Sequence, residues 1–223
     1  MKKFKSLAFI IFVPFLIFSC RFAPKPIPTP NPSASDNPGT TKEMMLGDWS
    51  SEGLETRPDG KGGNLYLNRS FNISANRSIG DFTYYADKDS KKENLLAHFE
   101  GPFQLISPVK DVPGAVEADF IFDVLKLTPK NDDITKILNN APKGTCGKEK
   151  WKTKVEQDVT ATNGCLVMSF DLKKCGKEYE IIKVDGTKMF FGARPKDGSN
   201  LCSSEKRPTT LLQVAVVKQK SEL

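Results

Sequence analysis

The feature that most constrains this fold is the regular alternation of apolar and polar side chains over residues 64–74, NLYLNRSFNIS. One face of this segment is apolar except for Arg69, and its apolar members are Leu65, Leu67, Phe71 and Ile73. Successive side chains of a β-strand point to opposite faces, so a period of two predicts a strand with one buried face. The position of Arg69 in the apolar phase predicts a guanidinium inside the core.

The same alternation recurs along the chain, in segments separated by turn residues. Further strands are predicted at residues 79–86, 95–106, 116–124, 150–160, 165–172, 179–184, 187–191 and 211–217. Gly101-Pro102 predicts a bend within one of them, and Asp185-Gly186 predicts a type I′ hairpin turn. The acidic side chains that alternate with the apolar residues of one strand predict a solvent-facing surface there; they are Glu117, Asp119 and Asp123.

Helical periodicity occurs in one short segment, residues 132–140, with Asp132 or Asp133 as the predicted N-cap. The remaining segments total eight to ten mostly sequential strands. An open sheet with so many twisted strands would leave edges unpaired, so the simplest solution is closure. The predicted fold class is therefore all-β with one short helix, an antiparallel β-barrel or half-barrel that is lipocalin-like.

The N-terminus has the three parts of an export signal, namely lysines, an apolar run at residues 7–18, and Ser19-Cys20. Twelve apolar residues are too few to span a bilayer, which needs about 20. The segment I-F-S-C at residues 17–20 resembles the lipobox of bacterial lipoproteins, although Phe18 is larger than usual; cleavage by the ordinary signal peptidase is the alternative. Residues 1–19 are thus a predicted lipoprotein signal peptide and Cys20 a lipidated N-terminus. By resemblance to the lipoprotein sorting rule of Gram-negative bacteria, the absence of aspartate after Cys20 implies the outer membrane, at its periplasmic face or at the cell surface.

Residues 20–42 form a predicted Pro-rich, lipid-anchored linker, and residues 43–223 form the predicted β-barrel domain.

The cysteine count supports the prediction that the chain is exported. Without Cys20, four cysteines remain: Cys146, Cys165, Cys175 and Cys202. An even set in an exported protein predicts disulfides. Of the three possible pairings we favour Cys146–Cys165 and Cys175–Cys202, because each closes a loop of about 20–30 residues around a predicted strand pair.

Composition argues against several other classes of function. Removal of Lys2, Lys3 and Lys5 with the signal lowers the formal net charge from +6 to +3, and the remaining lysines are scattered, so no nucleic-acid partner is expected. The chain has one histidine, His98, and its cysteine spacing is unlike that of zinc sites, so we expect no metal and no cofactor. It lacks G-x-S-x-G and phosphate-loop motifs, and we therefore do not expect an enzyme.

Six short motifs then occur in a characteristic order: G-D-W-S-S-E-G-L-E-T-R-P (47–58), Y-L-N-R-S-F (66–71), F-T-Y-Y-A-D (82–87), E-G-P-F (100–103), G-A-V-E-A-D-F (114–120) and C-G-K-E-K-W (146–151). Together they resemble the domain of the adenomatosis-polyposis-coli down-regulated proteins, animal membrane-bound inhibitors of Wnt signalling, over most of residues 46–217. The resemblance implies a β-barrel-like domain with a hydrophobic cavity able to hold lipid. Leu54 and Ser90 stand where that family has cysteines, so one family disulfide is missing as a pair.

The Gly-x-Trp motif at residues 47–49 also resembles the first strand of lipocalins, in which an arginine packs over the tryptophan. This resemblance implies a cation–π contact between Arg69 and Trp49. A buried guanidinium needs a carboxylate, and Glu52 and Glu55 are the candidates.

Two functions follow from these features. The first is a bacterial membrane-anchored lipoprotein whose barrel binds an apolar ligand, a lipid or fatty-acyl chain. The side chains predicted to line its interior are Trp49, Leu67, Arg69, Phe71, Phe82, Phe99, Phe103, Phe120 and Phe122. The alternative is a surface or periplasmic interaction module with a filled, scaffold-only barrel and a protein partner in the envelope or on a host.

Overall fold

The computed structural model describes residues 39–220, which form an antiparallel β structure with three short helices. The predicted signal peptide, Cys20 and most of the predicted linker lie outside the described residues. The helices are α1 (Lys42–Met45), α2 (Asp132–Asn139) and α3 (Leu172–Cys175). The strands are β1 (Gly47–Ser51), β2 (Glu55–Pro58), β3 (Asn64–Ile73), β4 (Ser78–Tyr85), β5 (Glu93–Gly101), β6 (Phe103–Pro108), β7 (Val116–Ile121), β8 (Val124–Pro129), β9 (Gln157–Asp158), β10 (Gly164–Cys165), β11 (Phe170–Asp171), β12 (Lys177–Asp185), β13 (Lys188–Phe191) and β14 (Val216–Lys218).

One large antiparallel sheet dominates the described part of the chain. Its strand order is β6-β7-β12-β13-β14-β1-β3-β4-β5-β8-β9. In addition, β2 pairs with the first half of β3, whereas β1 pairs with the second half. The sheet curls into a half-barrel, which confirms the predicted all-β fold class. Alternation explains the curl, since each long strand has one apolar face and curling brings those faces together.

A long bent hairpin connects the two sides of the half-barrel. Its first arm is β5 followed by β6, and its second arm is β7 followed by β8. Backbone hydrogen bonds continue the ladder through the bend, from Ile121 N to Pro102 O at 3.0 Å and from Asp123 N to Glu100 O at 3.0 Å. Beyond the bend the hairpin changes partners, because β5 pairs with β4 whereas β7 pairs with β12. The bend predicted at Gly101-Pro102 is confirmed.

The core consists of two apolar clusters. The first fills the half-barrel with side chains that include Met45, Trp49, Phe71, Phe103, Phe120, Ile182, Met189 and Phe191. The second lies under α2 and includes Leu95, Leu125, Leu127, Leu138, Trp151 and Val159. Both tryptophans are buried with a satisfied indole nitrogen, Trp49 donating to Met45 O at 2.8 Å and Trp151 to Cys146 O at 3.0 Å.

The segment between α2 and β12 differs most from prediction. The sequence predicts a strand at residues 165–172, but this segment contains only the second residue of β10, a short 3₁₀ turn, the two residues of β11 and the start of α3. Asn163 and Ser169 have positive φ values, +55° and +63°, and interrupt the extended backbone on either side of this turn. Only β9 remains of the strand expected at residues 150–160, and the last strand is β14 rather than residues 211–217.

Three local predictions are also corrected. The N-cap of α2 is Asn131, whose side chain accepts a hydrogen bond from Ile134 N at 3.1 Å, so neither Asp132 nor Asp133 caps the helix. In the β12–β13 hairpin Gly186 has φ +59° and no positive φ occurs at Thr187, a pattern typical of type II′ rather than type I′. Asp119, expected to face solvent, is buried because Arg207 and Lys177 cover it at 2.7 and 2.5 Å.

Both predicted disulfides are confirmed. Cys146 is bonded to Cys165 and Cys175 to Cys202, across 19 and 27 residues. Each loop closure stabilises the fold by roughly 3 kcal/mol through the unfolded state. The Cys146–Cys165 bond lies in the region of residues 141–175, whose strands β9, β10 and β11 have only two residues each, so a covalent link replaces part of the missing backbone ladder.

Candidate ligand-binding cavity

A cavity of about 250 Å³ lies between the half-barrel and the segments that cover it. The sheet contributes one wall through β4, β5 and β8, whereas α2 and residues 168–172 contribute the opposite wall. Its apolar lining consists of Leu65, Phe82, Tyr84, Leu95, Phe99, Phe122, Leu125, Ile134, Met168, Phe170 and Leu172. Its polar lining includes Arg57, Asn94, Asp171, Glu178, Arg194, Ser199 and Asn200.

An aromatic cluster centred on Phe99 forms the part of the cavity nearest the barrel interior. The Phe99 ring lies 5.2 Å from Phe82, 5.0 Å from Phe122 and 5.7 Å from Phe170, centroid to centroid. Phe170 in turn lies 6.3 Å from Tyr84. Alternation along β4 and β5 sends Phe82, Tyr84 and Phe99 to the concave face, so the strand pattern itself supplies an apolar wall.

The covering segments are held in place by specific bonds. Asn131, the cap of α2, donates to Glu93 O at 2.8 Å and fixes the start of the helix to β5. Leu172 N donates to Asn163 O at 2.9 Å, and Cys175, which lines the cavity, is bonded to Cys202. The cover is therefore attached at both ends, which gives the cavity a defined shape.

A buried cluster of charged side chains lies beside the aromatic cluster. Arg194 forms a bidentate pair with Glu178 at 2.9 and 3.0 Å, and its Nη2 lies 3.9 Å from Glu180 Oε2. Across the barrel, Arg69 Nε lies 2.8 Å from Glu55 Oε2, and Arg57 pairs with Glu55 Oε1. The Arg69 contact is an ion pair whose N–H does not point at the oxygen, so it is not a hydrogen bond.

Burial and pairing shift the pKa values of this cluster in opposite directions. Burial raises the pKa of Glu180 to about 7, although Arg194 opposes the shift. Burial also works against ionisation of Glu178, but the pair with Arg194 outweighs it and lowers the pKa of Glu178. Burial lowers the pKa of Arg69 to about 10, and Glu55 limits the shift. Glu55 and Glu178 are therefore anionic at neutral pH, while Glu180 is partly protonated.

The side chains predicted to line the interior fall into three groups. Phe82, Phe99 and Phe122 line the cavity. Together with these rings, Arg69, Phe71 and Phe120 line a deeper void of about 30 Å³ that the core nearly fills. Trp49, Leu67 and Phe103 are buried within the core, at 1%, 0% and 5% exposure. The sequence-predicted interior is thus one region, of which the part around Phe99 adjoins open space.

The predicted contact between Arg69 and Trp49 is wrong. The Arg69 guanidinium lies over Phe191, 4.3 Å from the ring centroid, whereas the cation over Trp49 is Lys218 at 5.3 Å. The register explains this, because Trp49 is opposite Phe71 while Glu55 is opposite Leu67 and draws the guanidinium the other way. Of the two candidate carboxylates, Glu55 is the partner of Arg69, and Glu52 pairs with Lys188 at 2.6 Å.

His98 lies in a polar cluster on β5. Its Nδ1 is 2.7 Å from Asp81 Oδ1 and its Nε2 is 3.0 Å from Glu100 Oε1. Partial burial opposes protonation, but the two carboxylates outweigh it and raise the pKa of His98. Its neighbours Ala97 and Phe99 point to the opposite face, so this cluster is separate from the cavity.

Several lining residues were not singled out as site residues from the sequence. Arg57 belongs to the E-T-R-P motif and Tyr84 shares a strand face with Phe82, so the sequence offered a reason to include both among the site residues. Arg194 and Ser199 lie in a loop without periodicity. Phe170 and Met168 were assigned to a strand, and their convergence on Phe99 follows from the non-strand path of residues 165–175.

The fold and the site together define an antiparallel half-barrel domain with a mainly apolar cavity and buried ion pairs. The family model described as adenomatosis polyposis coli down-regulated 1 matches residues 20–197, and the chain belongs to this family. The predicted family resemblance is confirmed. Members of this family are membrane-associated. Among residues 39–220, no helix is both long enough and apolar enough to cross a bilayer.

Proposed function

We propose that this domain binds a lipid or fatty-acyl chain in the cavity beside Phe99, and that its role is binding rather than catalysis. The observation that supports this is the apolar cavity of about 250 Å³ between the curled sheet and its cover. A site for a small apolar ligand is a concave space with mainly apolar walls and a few polar groups that set orientation. The lining residues have this composition.

The size of the cavity sets limits on the ligand. An apolar cavity of about 150 Å³ is sufficient to hold benzene, and pockets for small ligands typically measure roughly 300–1,000 Å³. A cavity of about 250 Å³ therefore suits a single acyl chain or part of one. The disulfide-tied cover limits its expansion, which argues against a bulky multi-chain lipid held entirely inside.

Filling the cavity from the α2 side tests this function. Ile134→Trp adds an indole on the wall formed by α2, and we expect it to weaken binding of the neutral fluorophore N-phenyl-1-naphthylamine by about tenfold or more, because the ligand and the indole compete for the same space. Fluorescence titration of the oxidised protein measures the affinity. Ile137→Trp is the matched control, since Ile137 is on the same helix but 43% exposed.

The outcomes separate the two proposed functions. Loss of binding in Ile134→Trp with retention in Ile137→Trp supports the lipid-binding function. Native mass spectrometry of the wild-type protein, if it detects a co-purifying amphiphile, supports it further. Failure of the wild-type domain to bind the fluorophore would overturn it and favour the alternative, an interaction module whose barrel is a scaffold for contacts with a protein partner.

We place the domain at the outer membrane of a bacterial envelope, anchored by lipid on Cys20, because residues 7–20 combine an apolar run with a lipobox-like end. In a Gram-negative host, labelled palmitate is expected to enter the wild-type chain and to be lost in Cys20→Ser. The Cys20→Ser variant is also expected to leave the membrane fraction. Equal labelling of both chains, or equal membrane retention, would contradict the lipid anchor.

A further inference from the structure

Three buried polar atoms, all in residues that line the cavity, have no hydrogen-bond partner within residues 39–220. They are Arg57 Nη2, Arg194 Nε and Ser199 Oγ. All three residues line the cavity, and the side chains of Arg57 and Arg194 are only 11% and 9% exposed. A buried donor without a partner costs about 1–3 kcal/mol, so three at one site require an explanation.

The pairing of the two arginines explains why these atoms remain available. Arg194 uses Nη1 and Nη2 on the two oxygens of Glu178, which leaves its Nε free for a further acceptor. Arg57 uses Nε on Glu55 Oε1, which leaves its Nη groups for a further acceptor, and Nη2 is the buried one. The glutamates hold the guanidinium groups in place without using all of their donors, and a guanidinium held in this way is well suited to bind an anion.

The carboxylates around the cavity are paired or hydrogen-bonded, which reduces their repulsion of an incoming anion. Both oxygens of Glu178 are bonded to Arg194, and Glu55 lies between Arg57 and Arg69, so a guanidinium offsets the charge of each carboxylate. Glu180 accepts from the backbone nitrogens of Ile181 and Gly192 and is partly protonated at neutral pH. Asp171 also lines the cavity, and its Oδ1 accepts from Lys174 N at 3.2 Å, where it caps α3.

These observations point to a specific chemistry for the ligand. We infer that the cavity binds an amphiphile with one anionic head, a carboxylate or a phosphate, whose oxygens accept hydrogen bonds from Arg57, Arg194 and Ser199 while its acyl chain lies against Phe99, Phe170 and Leu125. This inference rests on the proposed function and adds the class of head group. It also explains why polar donors and apolar walls share one cavity.

Competition among ligands with one chain and different heads tests the inference. Decanoic acid, decyl phosphate and 1-decanol are titrated against bound N-phenyl-1-naphthylamine at neutral pH. We expect at least one of the two anions to displace the fluorophore at a concentration about tenfold lower than 1-decanol, because charge-assisted hydrogen bonds add to the same apolar contact. The tighter of the two anions identifies the head as carboxylate or phosphate, and therefore the ligand as a fatty acid or a single-chain phosphate lipid.

Two variants locate the head-group site. Arg57→Gln is expected to abolish the preference for the anion while 1-decanol binds as before. Ser199→Ala, which removes only a hydroxyl, is expected to reduce the preference about threefold. Arg207→Gln is the matched control, because Arg207 is equally buried at 12% exposure but pairs with Asp119 outside the cavity. Arg194 is left intact because its loss would strand the Glu178 carboxylate.

The outcomes test the anionic head-group site separately from the proposed binding of an acyl chain. If the wild-type protein binds anions and 1-decanol equally, the head-group site is wrong although the apolar site stands. The same conclusion follows if Arg57→Gln and Ser199→Ala both retain the full preference. If neither the fluorophore nor any decyl ligand binds, the proposed function itself fails. Should Arg57→Gln not fold, Ser199→Ala and Arg207→Gln still decide the result.

Discussion

Gly101→Ala is expected to lower the free energy of unfolding by at least about 3 kcal/mol, although it adds only one methyl group. Gly101 ends β5 at the bend of the long hairpin, and a Cβ there would overlap the backbone carbonyl of Ile121 on the opposite arm. A side-chain rotation cannot relieve a clash with backbone, so the two arms would have to separate. Separation would break the ladder that connects β4 to β12 through the hairpin.

Two other glycines provide graded controls for this substitution. A Cβ at Gly53 meets nothing within 4 Å, so Gly53→Ala is expected to change stability by less than about 1 kcal/mol. A Cβ at Gly80 lies 3.1 Å from the Phe71 ring, which can shift, so Gly80→Ala is expected to fall between the two. Urea unfolding followed by the fluorescence of the buried Trp49 and Trp151 measures all three. Equal midpoints for Gly101→Ala and Gly53→Ala would show that the arms do not cross at Gly101.

The strands that are predicted well share a period of two that continues up to their turn residues. Residues 64–74 alternate with Arg69 as the one exception on the apolar face, and residues 64–74 and 79–86 correspond to β3 and β4 almost residue for residue. A half-buried strand must alternate, so the pattern and the fold have the same cause. The bend at Gly101-Pro102 is predictable from the sequence because glycine inside a strand often marks a tight bend and proline cannot donate to the ladder.

Residues 165–172 show where this reasoning fails. Leu166, Met168, Phe170 and Leu172 also alternate, but in this case the backbone turns within the segment. Thr162 Oγ1 accepts from Gly147 N, and Cys165 is bonded to Cys146, so side chains and a disulfide hold this path instead of a sheet. Apolar spacing over eight residues does not distinguish a strand from a compact loop whose side chains converge on a core.

The sequence predicts an aromatic-lined interior, but it does not predict most of the other residues that line the cavity. Phe82, Phe99 and Phe122 were expected inside because their strands alternate, whereas the opposite wall comes from segments far away in sequence. Nothing local to Arg194 or Ser199 indicates that a loop after β13 closes over β4 and β5. Such contacts depend on the curl of the whole sheet and on the Cys175–Cys202 bond, which brings this loop beside the cavity.

Arg69→Ala is expected to destabilise the domain by about 3 kcal/mol or more. The guanidinium is 2% exposed, pairs with Glu55 and lies over the rings of Phe191 and Phe71. Its removal leaves the buried Glu55 with Arg57 as its remaining cationic partner and opens space among the aromatic rings. The free energy of unfolding in urea, measured at neutral pH, gives the loss directly.

Arg77→Ala is the matched control, because Arg77 also pairs with carboxylates, Asp123 and Glu100, but is 41% exposed. Exposed pairs typically contribute only about 0–1 kcal/mol, so the difference between the two variants reports the effect of burial. A double-mutant cycle of Arg69→Met with Glu55→Gln then isolates the energy of the pair. Because Arg57 also pairs with Glu55, Glu55→Gln removes the carboxylate partner of Arg57, and the double variant is expected to be no more stable than Arg69→Met alone. Equal losses for Arg69→Ala and Arg77→Ala would show that burial adds nothing to the contribution of the Arg69–Glu55 pair.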